Sequence, residues 1–315
     1  MSPTVPVRLA EASVAWIGLG KMGSVMAERV LDAGTPLAVY NRTGSKVDPF
    51  TARGATRLDS ISAAAAHDVV FSMISDDDAL DELHDQRTGL FGGADSKVAV
   101  WIDGSTVSSA AAARAAAAAR AAGAVFVSAP VSGNPTVIQA GNAIFAISGE
   151  EAGLDVAEEL LSLIGRAVYR VGSAAEANII KLCVNAVLGV TMQALSEVAV
   201  LADKSGVSRA ALMAFLNDSA IGSPFSKYKT GALVALDFQT TFTPWQQRKD
   251  VRLALELAAQ TDVPMPVLST TEVALSRLVS GGLGTDETGK ERDFASLILS
   301  VARDAGHELA PEEPR

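Results

Sequence analysis

The sequence predicts an α/β fold in which a doubly wound parallel sheet is followed by an all-helical domain. Up to about Val171, short runs rich in β-branched residues alternate with helical segments, the order typical of parallel sheets with right-handed crossovers. After Gly172 and Ser173 the strand signals stop and helical patterns continue. A chain of 315 residues is long enough for two cores. The predicted parts are a sheet domain at 13–172, a helical domain at 173–306, and tails at 1–12 and 307–315, the second tail being disordered.

The elements of the sheet domain follow from short apolar runs and one alanine-rich run. The run from Ala110 to Ala122 is predicted to be a crossover helix, because alanine has the highest helix propensity. Ser108 or Ser109 can cap this helix and Gly123 can end it. Strands are predicted at about 14–19, 37–40, 68–74, 98–103, 124–128, 144–148 and 167–171.

The helical domain begins with a long helix from about Ala175 to Ser205. At 1.5 Å per residue it is roughly 45 Å long, which indicates a long interdomain helix. Its most apolar run contains Asn185 and Glu197, so we expect a buried helix and not a membrane span. Later helices are predicted at about 208–218, 225–236, 244–260, 267–280 and 287–305.

Composition excludes several classes of protein. The net charge of −10 argues against a nucleic-acid surface, which needs clustered basic residues. Cys183 is the only cysteine, so no intrachain disulfide can form, and we expect this residue to be buried. The first residues lack a signal-peptide pattern, so we expect a cytoplasmic protein without a membrane partner. The three histidines show no paired ligand spacing, and no metal site is predicted.

A glycine-rich turn follows the first predicted strand and opens a helix. It consists of Gly18, Leu19, Gly20, Lys21, Met22 and Gly23. In such a turn the first glycine permits the tight bend, the second lets the backbone approach a pyrophosphate, and the third allows close packing of helix and strand. The N-terminal amides of the helix then face the anion. The sequence therefore predicts a dinucleotide-binding turn on a Rossmann sheet.

The turn after the second predicted strand reads Asn41-Arg42-Thr43. It contains no acidic residue to accept a hydrogen bond from a ribose 2′-hydroxyl. The guanidinium of Arg42 and the hydroxyl of Thr43 suit a 2′-phosphate instead. The cofactor is therefore predicted to be NADP(H) in preference to NAD(H). The alternative is that Arg42 stacks on the adenine or points into water.

Lys181 and Asn185 are four residues apart near the start of the long helix, so they lie on one helix face. A lysine close to the predicted domain boundary can donate a proton to a carbonyl oxygen as hydride arrives, and accept it in reverse. This role requires surroundings that lower its pKa. On helix spacing alone, a solvated surface lysine is the more common outcome.

Four stretches in order along nearly the whole chain resemble the β-hydroxyacid dehydrogenases. This family includes 3-hydroxyisobutyrate dehydrogenase, tartronate semialdehyde reductase and glyoxylate/succinic semialdehyde reductases. The first stretch is the glycine-rich turn with Asn41-Arg42-Thr43. The others are Asp103-Gly104-Ser105-Thr106, Ala129-Pro130-Val131-Ser132-Gly133, and Ala177 to Asn185 with Lys249-Asp250 after it.

The resemblance implies a role for each matching residue. It implies that Lys181 is the general acid/base and that Asn185 helps to hold the substrate. Ser132 and Gly133 would bind a substrate carboxylate, a role that a hydroxyl and open backbone N–H groups suit. The expected cofactor contacts at the strand ends and beyond are Ile74, Ser75, Ser105, Thr106 and Lys249. The resemblance also implies a homodimer or homotetramer built from the helical domain, and the long apolar helix points the same way, because its burial within one subunit would be incomplete.

The chain departs from the family in the substrate loop. After Gly133 it reads Asn134-Pro135-Thr136-Val137-Ile138, where the family usually has a second glycine and a Gly-Ala pair. Asn134 adds a donor and an acceptor, so we count it among the substrate-binding candidates. Trp245, one helical turn before Lys249, is a further candidate for the pocket wall, and a core or interface tryptophan is an equal alternative.

These observations predict an NADP-dependent oxidoreductase that interconverts a small 3-hydroxy acid and its semialdehyde or keto form. One alternative is an NADPH-dependent imine reductase, which has a similar fold and shares the Asn-Arg-Thr turn but generally carries Asp or Tyr where Lys181 stands. A protonated lysine would repel an iminium substrate, so Lys181 favours a carbonyl. The second alternative is a non-catalytic NADP-binding interaction module.

Overall fold

The computed structural model describes residues 8–93 and 96–313. The chain divides into two compact units, Met1–Lys181 and Leu182–Arg315. The first seven residues and the last two, which belong to the predicted tails, lie outside the described residues. The first unit is an α/β sheet unit and the second is helical, as the sequence predicts.

The first unit is built on one sheet. Its strands are β1 Val14–Ile17, β2 Leu37–Tyr40, β3 Thr56–Arg57, β4 Val69–Ser72, β5 Val100–Asp103, β6 Val125–Ser128, β7 Val131–Ser132, β8 Ile144–Gly149 and β9 Ala167–Gly172. Their order is β3-β2-β1-β4-β5-β6-β8-β7, with β9 paired to β8. The pairs from β3 to β6 are all parallel, and β8 runs antiparallel to both β6 and β7. The sheet is therefore a parallel doubly wound core with a mixed extension.

Helices cover both faces of this sheet, so its central strands are buried throughout. Trp16 and Phe71 stack on one face, with ring centroids 4.0 Å apart. On the other face Trp101 packs against the alanine-rich helix, whose cap is the predicted Ser108. The helices of this unit are α1 Lys21–Asp32, α2 Asp48–Thr51, α3 Asp77–Leu83, α4 Ser109–Ala121, α5 Pro135–Gln139 and α6 Glu151–Ser162; 3-10 turns lie at Leu9–Glu11, Gly44–Lys46 and Ser62–Ala66.

The long predicted helix is α7, Glu176–Lys204, and the boundary between the two units falls within it. The remaining helices enclose the second core, in which Met192, Leu233, Val251, Leu275 and Ile298 are fully buried. These helices are α8 Arg209–Asp218, α9 Pro224–Ala235, α10 Pro244–Gln260, α11 Pro266–Ser280 and α12 Leu297–Asp304, with a 3-10 turn at Phe294–Ser296 before the last.

The last helix is shorter than the predicted 287–305. The preceding segment forms a turn, in which Asp286 Oδ1 accepts hydrogen bonds from the backbone N–H groups of Thr288 and Lys290. Gly289 has φ +81°, which a helix does not contain. An aspartate that satisfies nearby amides competes with helix formation, and this explains the late start.

The C-terminal segment after α12 is ordered where it is described, contrary to the predicted disorder. It forms neither helix nor strand, but the Glu312 carboxylate accepts hydrogen bonds from the backbone N–H groups of Arg209 and Ala210. His307 also lies 2.9 Å from Asp203. Polar contacts with α7 and α8 therefore hold a segment that has no periodic pattern of its own.

Among the described residues, α7 is the one helix long and apolar enough to cross a membrane by length and composition. Asn178, Asn185 and Ser196 are buried on one face of it, which indicates packing against protein. On the opposite face Val187 is 65% exposed, in agreement with the expected incomplete burial of this helix within one subunit. Cys183 is likewise exposed and not buried, because it lies away from the face that packs.

Candidate active site

The glycine-rich turn has the geometry that its sequence predicts. Gly18 has φ +97°, and a Cβ there would lie 2.1 Å from the Met73 carbonyl oxygen. A Cβ on Gly23 would lie 2.2 Å from the Gly18 carbonyl oxygen. At Gly20, by contrast, a Cβ would meet no described atom within 4 Å. The first and third glycines therefore allow close packing, and the second leaves open space before α1, where a pyrophosphate fits.

The Asn41-Arg42-Thr43 turn is tied to the glycine-rich turn by the side chain of its first residue. Asn41 Oδ1 accepts a hydrogen bond from Leu19 N at 2.8 Å, and Asn41 Nδ2 donates to the Thr43 carbonyl at 3.0 Å. Arg42 is exposed and has no ion-pair or hydrogen-bond partner among residues 8–93 and 96–313. The guanidinium is thus available to an anionic ligand, and Asn41 fixes the backbone beside it.

The ends of β4 and β5 are joined by a buried hydrogen-bond network. Ser105 Oγ donates to Asp103 Oδ1 at 2.8 Å and accepts from Ile74 N at 2.8 Å. Asp103 is 1% exposed and Ser105 is fully buried, so the Ser105 hydroxyl binds protein groups and not the cofactor. Ser75 and Thr106, the next residues of the two loops, are more exposed. The network therefore fixes two loops, in which Ser75 is exposed and Thr106 is half-buried.

The substrate loop, residues 132–142, leaves the sheet at β7 and returns at β8. Ser132 pairs with Ile144 in the antiparallel register, and Gly133 has φ +149°. Asn134 Oδ1 accepts a hydrogen bond from Val137 N at 2.9 Å and so caps α5. The cap fixes the Asn134 carboxamide and directs its acceptor to the backbone.

In the second unit, α10 fixes the side chain of Asn185. The residue is 1% exposed, and its Nδ2 donates to Asp250 Oδ2 at 2.5 Å. Gln247 Nε2 donates to the Asn185 carbonyl at 2.8 Å, and Lys249 Nζ lies 3.0 Å from Asp250 Oδ1. Asn185 Oδ1 is buried and has no hydrogen-bond donor within the described part of the chain. A buried amide oxygen of this kind is suited to a ligand that donates a hydrogen bond.

The remaining candidates, Lys181 and Trp245, are both half-buried and lie at the start of helices α7 and α10. Lys181 is half-buried on α7, four residues before Asn185, as the predicted helix requires. Trp245 is half-buried at the start of α10, and a Cβ on Gly284 would lie 2.9 Å from its ring. The close approach to Gly284 gives Trp245 a packing role within the helical unit.

Sequence reasoning missed the roles of Asp250 and Gln247. Both lie on α10 three residues apart, so they share a helix face, and this spacing was the available signal. Their partner Asn185 is more than sixty residues away in sequence, and no local pattern indicates that pairing. Among the described residues no cluster of three or more potential metal ligands occurs.

Comparison with known proteins gives matches along most of the chain. The family model described as the NAD binding domain of 6-phosphogluconate dehydrogenase matches residues 13–172. The model described as NAD-binding of NADP-dependent 3-hydroxyisobutyrate dehydrogenase matches residues 175–298. Glyoxylate/succinic semialdehyde reductase 1 of Arabidopsis thaliana is 31% identical over 290 residues, which are 91% of this chain and 98% of that protein.

Solved structures share the fold. The 3-hydroxyisobutyrate dehydrogenase of Mycobacterium tuberculosis, with L-serine, is 24% identical, has a TM-score of 0.78, and covers 92% of this chain and 99% of its own. A reductive aminase of Aspergillus terreus with NADPH and ethyl levulinate is 22% identical, has a TM-score of 0.59, and covers 91% of this chain and 98% of its own. The sequence matches decide the family: the chain belongs to the β-hydroxyacid dehydrogenases and is an NAD(P)-dependent oxidoreductase of hydroxy acids and semialdehydes.

Proposed function

We propose that the protein interconverts a small 3-hydroxy acid and its semialdehyde or keto form with NADP(H), and that Lys181 is the general acid/base. The observation that carries the proposal is the buried Asn185, which Asp250 orients and whose Oδ1 has no donor in the described structure. This amide lies one helical turn after a lysine. The Arabidopsis relative is named for two small aldehydes that carry a carboxylate, and this name supports a small carbonyl substrate with a carboxylate.

In this proposal each side chain has a separate task. The bound nicotinamide supplies or takes the hydride. During reduction a proton moves from Lys181 Nζ to the carbonyl oxygen, which becomes the hydroxyl; during oxidation neutral Nζ takes the same proton back. Asn185 Oδ1 accepts the hydrogen bond of that hydroxyl. Ser132 Oγ and the Gly133 N–H donate to the carboxylate and so orient the substrate.

The test is NADPH formation from NADP across 3-hydroxy acids of increasing side-group size. Lys181→Ala should lose most turnover, by about 100-fold or more, while NADPH binding stays nearly intact. The matched control is Lys227→Ala, which removes an exposed lysine of α9. Wild-type rates in the Lys181 variant would contradict the mechanism. An Asp250→Asn variant should also lower kcat, because the Asn185 amide loses its anionic anchor.

The proposed preference for NADP(H) rests on Arg42. It is exposed, has no partner in the described structure, and follows the turn that Asn41 fixes. Arg42→Ala should weaken NADPH binding by about tenfold or more, since a charge-assisted contact is worth roughly 1.5–3 kcal/mol, and should leave NADH binding unchanged. Fluorescence titration with both cofactors measures this. An equal loss for both would show that Arg42 does not read the 2′-phosphate.

The competing activity is imine reduction, for which the fold likeness to the reductive aminase is the supporting observation. The charge of Lys181 argues against it, because a protonated lysine repels an iminium ion. Faster reduction of a cyclic imine than of any semialdehyde would reverse the order of the two proposals. Binding of NADPH without turnover of either substrate class would favour the non-catalytic module.

We also propose that the protein is at least a homodimer, formed through the exposed face of α7. Val184, Val187, Val198 and Leu201 are 39%, 65%, 39% and 67% exposed, and the second pair follows the first after fourteen residues, which is two heptads. An apolar stripe of this kind on one helix marks an interaction surface, and a second copy of the same stripe matches it. Val187→Glu with Leu201→Glu should give a monomer by light scattering. A monomeric wild-type protein at micromolar concentration would contradict the proposal.

A further inference from the structure

One contact joins the helix of the glycine-rich turn to the substrate loop. Arg29 lies near the C-terminal end of α1, and its Nη1 donates to the Gln139 carbonyl at 3.2 Å, across 110 residues of sequence. Gln139 is the last residue of α5, the short helix within the substrate loop. The arginine therefore supplies a cationic cap to the end of α5, where carbonyl groups lack helical partners.

The guanidinium also lies against the glycine that follows α5. A Cβ on Gly141 would lie 3.1 Å from Arg29 Nη2 and 3.4 Å from Arg29 Cζ. Gly141 has φ +73°, so the chain reverses at this point in a conformation that glycine favours. The reversal is closed by hydrogen bonds from Gly141 N to the Ile138 carbonyl at 2.8 Å and from Asn142 N to the Val137 carbonyl at 2.9 Å.

The position of Arg29 depends on packing beneath it. Met26 and Val30 of α1 and Ile138 of α5 are fully buried in one apolar cluster. Arg29 Nε is buried in the same region and has no acceptor among the described residues. The guanidinium is therefore held by the packing around it and by the bond from Nη1.

Helix α1 connects this contact to the glycine-rich turn. Its twelve residues begin directly after Gly20 and span about 18 Å as one rigid element. At the other end of the substrate loop, Asn134 caps α5 next to Ser132 and Gly133. The loop therefore has two fixed ends: the sheet holds its start and Arg29 holds the end of its helix.

We propose that Arg29 is a positioning residue, which fastens the substrate loop to the helix of the glycine-rich turn and so sets Ser132 and Gly133 for the substrate carboxylate. The inference rests on the proposed function for the role of the loop, and on the described contacts for the fastening. Arg29 touches neither the substrate nor the cofactor. Its loss should therefore weaken substrate binding and leave cofactor binding unchanged, because the cofactor binds at the opposite end of α1.

The test compares Arg29→Gln and Arg29→Lys with Arg53→Gln. Arg53 is a matched control, because it forms an ion pair with Asp32 at the same end of α1 but does not reach the loop. Arg29→Gln should raise KM for the 3-hydroxy acid by about tenfold, since small misplacements far from the chemistry reduce rates strongly. NADPH affinity should stay within about twofold of the wild type, because Arg29 lies at the end of α1 away from the glycine-rich turn. Arg29→Lys should partly restore KM.

Hydrogen exchange gives a second readout that does not need turnover. In Arg29→Gln, the amides of residues 133–142 should exchange faster, above all those of Gly141 and Asn142, while the amides of the central strands keep their protection. If no hydroxy acid is turned over, the proposed function fails, but faster exchange confined to the loop still supports the fastening. Unchanged exchange in the loop overturns the inference. A variant in which NADPH affinity and melting temperature fall while KM rises overturns it as well, because that pattern reports only general destabilisation.

Discussion

Arg209 offers the sharpest test of how the helical unit is held together. It is fully buried, and its guanidinium donates to the carbonyls of Leu233 and Val234 at 2.8 and 3.0 Å, at the C-terminal end of α9. It also donates to Asp203 at 3.0 Å and to the carbonyl of Ala310 in the C-terminal segment. One side chain thus joins three parts of the unit: α7, α9 and the C-terminal segment.

The expected loss in Arg209→Met follows from what the change leaves behind. The buried carbonyls of Leu233 and Val234 lose a donor, and the carboxylates of Asp203 and Glu312 lose the cation within 3.0 and 3.5 Å. Removing one partner of a buried ion pair costs about 3–5 kcal/mol. Both carboxylates are 22% exposed and so are partly screened by water, which places the expectation near the lower end, at about 3 kcal/mol.

Thermal unfolding followed by circular dichroism measures this loss. At roughly 4 °C per kcal/mol for a unit of this size, the melting temperature should fall by about 12 °C. The control is Arg252→Met in the same unit. This change breaks the ion pair with Glu272, in which the Arg252 side chain is 52% exposed. That variant should lose at most about 1 kcal/mol. If the two variants melt at the same temperature, the reasoning from burial is refuted.

Three further predictions concern the first unit. Hydrogen bonds from Ser13 hold the pKa of Asp68 below its ordinary value of 3.8. The ionised carboxylate therefore stabilises the fold above pH 3.8, and this stabilisation is lost as the pH falls through the folded pKa. Asp68→Asn should reduce the loss of unfolding free energy in acid, as measured by urea unfolding between pH 2 and 6 (about the range of carboxylate titration). Gly18→Ala should weaken NADPH binding by about tenfold or more, because its Cβ would meet the Met73 carbonyl in a strained backbone, and an unchanged dissociation constant would contradict this. Asn41→Ala should weaken NADPH and NADH equally in titrations, and a loss for NADPH alone would make Asn41 a phosphate ligand.

The sequence predicted those elements whose signals are periodic and bounded by caps. Helix α10 occupies the predicted 244–260, because Thr243 and Gln246 form a capping box and Pro244 stands at its first position. Strands β3 and β7 were not predicted, since each contains two residues and such a short stretch has no period to detect. The length and the incomplete burial of α7 were predicted correctly, but the residues that form its exposed face were not. An apolar residue packed on its own chain and one awaiting a partner give the same pattern.

The site shows a similar limit. Motifs located the glycine-rich turn, the Asn-Arg-Thr turn and the substrate loop, because each is a local arrangement with a local signature. The anchoring of Asn185 by Asp250 depends on a contact between distant helices, which sequence spacing does not contain. The same is true of Arg29 and Gln139. Motifs thus identify residues that touch ligands more readily than residues that hold those residues in place.

Three loops of the first unit follow a common arrangement, which changes how their motifs are interpreted. In each, one polar side chain binds protein backbone: Asn41 binds Leu19 and Thr43, Ser105 binds Ile74, and Asn134 binds Val137. Side chains of this kind satisfy nearby amides whenever the backbone turns sharply. The neighbouring residue in each loop is more exposed than that side chain: Arg42 and Gly133 are exposed, and Thr106 is half-buried. A polar residue in a ligand-binding motif can therefore act by fixing the loop, and its substitution should change the affinity for every ligand that the loop binds.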